Sequence, residues 1–135
     1  MFTVNIMKQT VANSPTFPNE FRSSCPVAGV LDILGDKWTL IVVRDLFLNK
    51  HRYGEFLKSP EAIPTNILAD RLKRLEAARL VKRVLYQDNP PRAEYFLTTR
   101  GSDLAPVLRA MLQWGKQYLP GVKFPEKFNP PEIRD

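Results

Sequence analysis

The sequence contains very little cysteine and histidine. Cys25 and His51 are the single residues of their types in a chain of 135 residues. One cysteine cannot close a disulfide within the chain, and one cysteine with one histidine cannot supply the ligand set of a structural zinc site. We therefore expect no internal disulfide and no metal centre, and a reducing cytoplasm is the compartment that fits this composition.

Long apolar runs are also missing. The longest, residues 39–43 and 46–48, are separated by Arg44 and Asp45, whereas a membrane-spanning helix needs about 20 consecutive apolar residues. Residues 1–21 mix Asn, Thr, Ser and Pro with scattered apolar side chains and lack the apolar core of a signal peptide. We expect neither export nor association with a membrane.

The motifs that usually mark an enzyme do not occur in the sequence. It has no glycine-rich phosphate loop, no pair of histidines at metal-binding spacing, and neither a Ser-x-x-Lys nor a Gly-x-Ser-x-Gly nucleophile motif. A length of 135 residues corresponds to one domain. We therefore expect a binding protein without catalytic residues or cofactors.

Positive charge is abundant and concentrated in one part of the chain. The chain carries 20 Lys and Arg against 14 Asp and Glu, a formal net charge of +6. From Lys37 to Arg92 the sequence has twelve basic and six acidic residues, so this segment accounts for the whole excess of positive charge. Lysines scattered over a solvated surface are the simpler explanation of a basic protein, but the clustering favours a phosphate-rich partner such as nucleic acid.

Apolar spacing predicts four helices in the first part of the domain, over residues 26–34, 38–47, 54–58 and 64–78. Pro26 suits the first position of a helix that Gly35 ends. Pro60 stops the brief third helix, because the residue before a proline is pushed out of the helical region. In the fourth helix Leu68, Leu72 and Leu75 share one stripe that we expect to face the core.

A β-hairpin and a terminal helix are predicted next. The β-prone runs 80–86 and 93–97 flank the turn-rich segment 87–92. Thr98 is the predicted N-cap of a final helix that reaches Leu119 and that Pro106 is expected to bend. The predicted organisation is an N-terminal arm 1–23, one domain 24–119, and a C-terminal tail 120–135 in which prolines exclude regular helix and central strand.

This order of elements predicts a mainly α-helical domain with a small β-hairpin wing, the winged helix-turn-helix fold. In that fold the second helix of the pair enters the major groove of duplex DNA. Helix 64–78 turns a polar and basic side away from its leucine stripe. The candidate DNA-binding residues are therefore Thr65, Asn66, Ala69, Asp70, Arg71, Lys73 and Arg74, together with Arg92 beside the wing tip.

The residues of helix 64–78 also have simpler interpretations. Asn66 can pair with adenine and Thr65 can touch a base edge, yet polar residues in a first helical turn are often caps. Lys73, Arg74 and Arg71, and Lys82 in the first strand of the wing, are expected to bind phosphates, because about half or more of protein–DNA hydrogen bonds go to the backbone. Arg71 can instead brace its own helix through an acid.

Other positions leave similar alternatives open. Arg92 follows two prolines that stiffen the wing tip, and its alternative role is a salt bridge at the start of a strand. His51 is expected to be a solvated surface residue. For the domain as a whole the alternative is a winged helix that docks proteins and never touches DNA, a module that has no need of a polar and basic recognition face.

The sequence also resembles the HxlR-type transcriptional regulators, relatives of the MarR group, from Cys25 to Leu119. The matching segments are Cys25-Pro26-Val27, Gly35-Asp36-Lys37-Trp38-Thr39-Leu40, residues 67–76, residues 90–95, and the spacing of Gly101, Pro106 and Trp114. The resemblance implies a cytoplasmic, prokaryotic DNA-binding regulator without enzymatic activity, which we expect to be a repressor. It also implies a homodimer formed by the terminal helices, with Val107, Leu108, Met111, Leu112 and Trp114 in the interface.

Two positions qualify this resemblance. Arg79 stands where the family usually has glycine after the recognition helix, so either the helix ends differently or strain is tolerated. Cys25 directly precedes Pro26, near a helix N-terminus where a thiol becomes more reactive. Some relatives use a cysteine here to sense quinones or disulfide stress, so an electrophile or other small-molecule effector is a further expected partner. A small buried apolar residue is the alternative role of Cys25.

Overall fold

The computed structural model describes residues 21–123 and 129–135. Within these ranges the elements follow in the order α1 (Pro26–Leu34), α2 (Thr39–Phe47), α3 (Tyr53–Leu57), α4 (Thr65–Ala77), β1 (Val81–Asp88), β2 (Pro91–Leu97), α5 (Thr99–Ser102) and α6 (Ala105–Tyr118). The fold is a winged helix, as the sequence predicts. Residues 1–20 of the predicted arm 1–23 lie outside the described residues. No helix in the described part of the chain is both long and apolar enough to cross a membrane.

The core lies between α2, α4 and the hairpin. Leu68, Leu72 and Leu75 are completely or almost completely buried, which confirms the stripe predicted for this helix. Burial of such side chains removes apolar surface from water and contributes about 1.5 to 3 kcal/mol each. The other members are Leu34, Val42, Val43, Leu46, Phe56, Ile63, Ala78, Leu80, Val81, Tyr95 and Leu97. Packing of α4 on this core leaves its opposite side in solvent.

The hairpin forms the wing. β1 and β2 pair antiparallel, with Val81 opposite Leu97 at the base and Asp88 opposite Pro91 at the tip. The predicted six-residue loop 87–92 is therefore wrong, since both strands extend into it and the turn contains Asn89 and Pro90 alone. Pro91 can open β2 because the first residue of an edge strand can do without a donor.

The segment after the wing is divided into two helices. Thr98 caps the short helix α5, because its Oγ1 accepts a hydrogen bond of 3.1 Å from the Gly101 amide. The expectation of one continuous helix bent at Pro106 is wrong. The chain turns at Asp103 and Leu104, and Pro106 lies in the first turn of the new helix α6, where its missing N–H leaves no bond unmade.

His51 is not the solvated surface residue that the sequence suggests. Its side chain is 15% exposed, and its ring lies 4.4 Å from that of Phe96 between centroids. Its main-chain oxygen accepts a hydrogen bond of 2.8 Å from the Tyr95 amide. The residues before α3 thus lie along the edge of β2 that β1 leaves open, a pairing that no local pattern in the sequence reveals.

Helix α4 ends in the left-handed geometry that the family usually reserves for glycine. Arg79 has a φ of 62°. Its amide donates to Glu76 at 2.9 Å and the Leu80 amide donates to Leu75 at 3.0 Å, the paired bonds of a Schellman motif. The helix therefore ends as it would with glycine, and the strain of a left-handed arginine is tolerated because Leu75 and Leu80 are buried.

We expect Arg79→Gly to raise the free energy of unfolding by about 1 kcal/mol, because glycine adopts a positive φ without the steric cost of a Cβ. Urea denaturation measures the change. Arg79→Ala is the matched control, since it removes the guanidinium and keeps the strain. Equal stabilisation of both variants, or none in Arg79→Gly, would contradict strain at this position.

Candidate DNA-binding surface

The N-terminal turn of α4 exposes two polar side chains. Pro64 is extended and precedes the helix, and its carbonyl accepts the Leu68 amide at 2.9 Å. Thr65 and Asn66 follow, and both are exposed. The leucines fix the rotation of the helix, so Asn66 lies on the side opposite them, whereas Thr65 is exposed because it opens the helix.

The same side continues along the helix. Ala69, Asp70 and Lys73 are exposed, and Arg74 is half-buried with its NH1 atom 3.8 Å from the Asp70 carboxylate. Ala69 presents only a methyl group, so the backbone can approach a partner closely at that point. The surface combines an amide, a hydroxyl, a methyl and cationic groups, which are the groups that read base edges and bind phosphates.

Arg71 lies at the side of this surface and joins α4 to α2. Its side chain is 16% exposed, its Nε donates to Asp36 Oδ1 at 3.0 Å, and NH1 contacts Asp70. Asp36 also accepts the Trp38 and Thr39 amides, at 2.8 and 3.0 Å. These contacts support the alternative role of Arg71 as a structural brace.

The electrostatics of Asp36 reflect this position. Partial burial raises the pKa of its carboxyl, but hydrogen bonds from Thr39, Trp38 and Arg71 outweigh burial, so that the pKa lies far below its ordinary value. The ionised carboxylate is therefore an integral part of the fold. It ties the start of α2 to the middle of the helix that carries Asn66.

A second connection anchors the turn that leads into α4. Asp45 is buried, and Ser59 donates its hydroxyl to the Asp45 carboxylate. Lys50 Nζ donates to Ser59 Oγ at 2.7 Å. Arg44 grips Glu61 through two bonds of 2.6 and 2.8 Å, and this pairing lowers the pKa of Glu61. Contacts from Arg44 and Asp45 of α2 thus fix the position of the turn that precedes α4.

The wing carries the remaining candidate. Arg92 is exposed beside the turn and opposite Gln87. Among the described residues it forms no salt bridge, which was the alternative role considered for it. At the middle of the wing, the Arg52 guanidinium lies 4.0 Å from the centre of the Tyr86 ring and 3.3 Å from Glu94. A cationic side chain outside the wing is thus fixed against it.

The sequence did not reveal Asp36, Asp45 and Glu61 as parts of the site. Asp36 carries one local signal, because an acid three residues before Thr39 is typical of a helix start. Each acid, however, also has a partner that lies 14 to 35 residues away in the chain. A single sequence offers no rule that pairs such positions.

The terminal helices expose apolar side chains. On α6 the outward stripe contains Val107, Met111, Trp114 and Tyr118, of which Trp114 is 62% exposed. Leu108 and Leu112 turn inward and are half-buried, and Leu108 packs against the core. Helix α1 adds three exposed apolar residues, Val27, Val30 and Leu31. Clustered exposed apolar side chains of this kind usually mark an interface.

Cys25 lies at the start of α1. It is the residue before Pro26, it is exposed, and its amide donates to Ser23 Oγ at 3.2 Å. The alternative of a buried apolar cysteine is therefore wrong. A reagent in solvent can reach the thiol in the subunit described here.

Residues 33–123 match the family model described as HxlR-like helix-turn-helix. An HTH-type transcriptional regulator of Synechocystis is 40% identical over 95 residues, which are 70% of this chain and 70% of that protein. For a similar regulator of Mycobacterium bovis, 37% identical, the match spans 59% of its length.

Solved structures agree with these matches. PA1607, assigned as a transcription factor, has a TM-score of 0.67 at 37% identity, covering 84% of this chain and 82% of that one. The oxidised form of the redox regulator HypR has a TM-score of 0.61 at 35% identity, covering 69% and 96%.

Proposed function

Because this chain belongs to the HxlR-like helix-turn-helix transcriptional regulators, we propose that it binds operator DNA as a homodimer, with one α4 in each half-site. The protein is a DNA-binding transcriptional regulator. One observation supports the assignment of α4 to the DNA-binding surface: its leucines are buried, while Thr65, Asn66 and Lys73 are exposed. Repression is the expected outcome, since a bound dimer excludes other proteins from the same DNA.

We assign different tasks to the exposed groups. Asn66 and Thr65 read base edges, and Ala69 contacts a thymine methyl or allows close approach. Lys73 and Arg74 bind phosphates, and Arg92 reaches the backbone or minor groove from the wing. Asp70 and Arg71 position the helix: Asp70 contacts both Arg71 and Arg74, and Arg71 reaches Asp36.

The exposed apolar faces of α1 and α6 support the proposed dimer. Two copies that bury these faces against each other relate their α4 helices by a twofold axis. The operator is then a pseudo-palindrome with half-sites about 34 Å apart or a multiple of it. We also propose that the protein acts in the cytoplasm and catalyses no reaction.

Replacing Asn66 with alanine should relax sequence preference, whereas replacing Lys73 with alanine should weaken binding to all sequences. The reason is that an amide distinguishes bases by about 1 to 3 kcal/mol, while a lysine on a phosphate releases counterions whatever the sequence. Selection from a random duplex pool, followed by titration of the consensus and a scrambled duplex at several salt concentrations, separates the two effects.

Glu76→Gln is the matched control, because Glu76 is exposed near the other end of α4. An unchanged consensus in Asn66→Ala would show that α4 is placed in the wrong rotation. Absence of salt-dependent binding in the wild type would instead favour the alternative of a protein-docking winged helix.

Cys25 is the group through which we propose that an effector acts. It is exposed at the start of one of the two helices that carry the apolar faces, and one similar structure is a redox regulator. The chain has no second cysteine, so the thiol can add to an electrophile, or an oxidant that takes up two electrons and two protons can join it to Cys25 of another subunit as a disulfide. Either product changes the packing of α1 and with it the spacing of the two α4 helices.

A further inference from the structure

Residues 129–135, called the strap below, lie along the edge of β2 that β1 leaves open. The Arg134 amide donates to the Leu97 carbonyl at 2.9 Å, and Ile133 forms a parallel bridge with Leu97. The strap thus adds an extended segment to the sheet just beyond the point where His51 contacts Tyr95. The sequence predicts a tail without regular helix or central strand, and the strap has neither, yet it returns to the domain rather than projecting from it.

Asn49 binds the main chain of the strap ahead of Ile133. Its Nδ2 donates to the Pro130 carbonyl at 3.2 Å, and its Oδ1 accepts the Glu132 amide at 2.9 Å. One side-chain amide therefore satisfies two main-chain groups, as a neighbouring strand would. Asn49 has a φ of 59°, a conformation that asparagine adopts more readily than most residues.

The last residue of the strap is recognised through its carboxylate. Thr99 donates both its amide, at 2.7 Å, and its hydroxyl, at 2.6 Å, to the two carboxylate oxygens of Asp135. Lys82 Nζ donates to the main-chain oxygen of Asp135 at 2.7 Å. The Arg134 guanidinium lies 4.0 Å from the centre of the Phe96 ring. These partners come from α5, β1 and β2.

Most of the hydrogen bonds to the strap go to its backbone or to the Asp135 side chain. The Arg134 guanidinium on Phe96 and the Glu132 carboxylate, 3.9 Å from His51 Nε2, add two further side-chain contacts. Ile133 remains 45% exposed, so no deep pocket selects the apolar residue. The strap also lies outside residues 33–123, the part matched by the family model. Main-chain addition to a sheet edge is a common way to bind an extended peptide, and such a ligand can be exchanged.

We propose that the edge of β2, with Asn49 and Thr99, is a peptide-docking site for an extended segment that carries an acidic residue at its last contacted position, and that the strap is its built-in occupant. The docking site is separate from the proposed DNA-binding surface. Its contacts lie at the base of the wing, whereas Arg92 lies at the tip of the wing. A protein with an exposed segment of the same chemistry competes with the strap for this edge.

The test uses the full chain and a fluorescent peptide with the sequence of residues 129–135. Arg134→Pro opens the site, because proline has no amide to donate to Leu97, while Arg134→Lys keeps the amide and is the matched control. A tethered strap competes at an effective concentration in the millimolar range. We therefore expect the peptide to bind Arg134→Pro at least about tenfold more tightly than it binds the wild type or Arg134→Lys.

Two further readouts make the result independent of any single variant. A peptide with Asp135→Asn should bind Arg134→Pro several-fold more weakly, because it loses the charge that Thr99 contacts. The Glu132 amide should exchange slowly with solvent in the wild type and in Arg134→Lys, and quickly in Arg134→Pro. Equal peptide affinity for all three chains, no binding at millimolar peptide, or fast exchange of Glu132 in the wild type would each overturn the proposal.

Discussion

Trp114→Lys is expected to convert the proposed dimer into a monomer at micromolar concentration and to weaken binding to a full operator about a hundredfold. Trp114 and Tyr118 are equally exposed aromatic side chains of the α6 stripe, Trp114 is the larger of the two, and their rings lie 5.2 Å apart between centroids. A buried interfacial tryptophan commonly contributes 2 kcal/mol or more, and a lysine in its place adds the cost of a desolvated charge. A hundredfold change corresponds to about 2.8 kcal/mol.

Sedimentation equilibrium and titration of operator DNA measure the two effects. Gln113→Lys is the matched control, because it adds the same charge at a neighbouring exposed position outside the apolar stripe. Binding to an isolated half-site should hardly change in either variant, since α4 is untouched. A Trp114→Lys protein that remains dimeric, or a wild type that is monomeric, would contradict the assignment of α6 to the interface.

Asp36→Ala is expected to lower the free energy of unfolding by about 3 kcal/mol. The substitution removes the acceptor of the first amides of α2 and leaves the Arg71 guanidinium without its carboxylate on that helix. Loss of a capping acceptor costs about 1 kcal/mol, and loss of a hydrogen bond to a charged group costs about 1.5 to 3 kcal/mol. Asp70→Ala is the matched control, because it removes the exposed partner of the same guanidinium and should cost less than about 1 kcal/mol.

The stabilisation by Asp36 should also depend on pH in a defined direction. The folded protein holds the pKa of this carboxyl below its ordinary value of 3.8, so the native state favours the ionised form more than the unfolded chain does. The contribution is therefore complete above that value and decreases as the pH falls below about 4. Urea denaturation of wild type and Asp36→Ala at a series of pH values should show their difference shrinking with acidification. A difference that stays constant would contradict an ionic role.

Much of the architecture is determined by local patterns. The leucines at positions 68, 72 and 75 can only be buried together by a helix, and Pro26 and Gly35 suit the two ends of α1. The same leucine stripe leaves Asn66, Asp70 and Lys73 on the solvent side, and Thr65 is exposed in the first turn. The composition of the proposed recognition surface therefore follows from the sequence. The family follows as well, since its motifs extend along most of the domain.

The tertiary structure alone decided how these parts are held together. Arg71 contacts its sequence neighbour Asp70 and also the distant Asp36, and only the approach of α2 to α4 supplies this second partner. The residues after the wing can form one helix by propensity, yet the chain turns at Asp103 before α6 begins. The strap has too little apolar or helical pattern to be placed from sequence, because its position is set by main-chain groups of Leu97 and Thr99 and by the side chain of Asn49. Pairings between residues distant in the chain depend on which surfaces remain unsatisfied after the core has formed, and local periodicity carries no information about that.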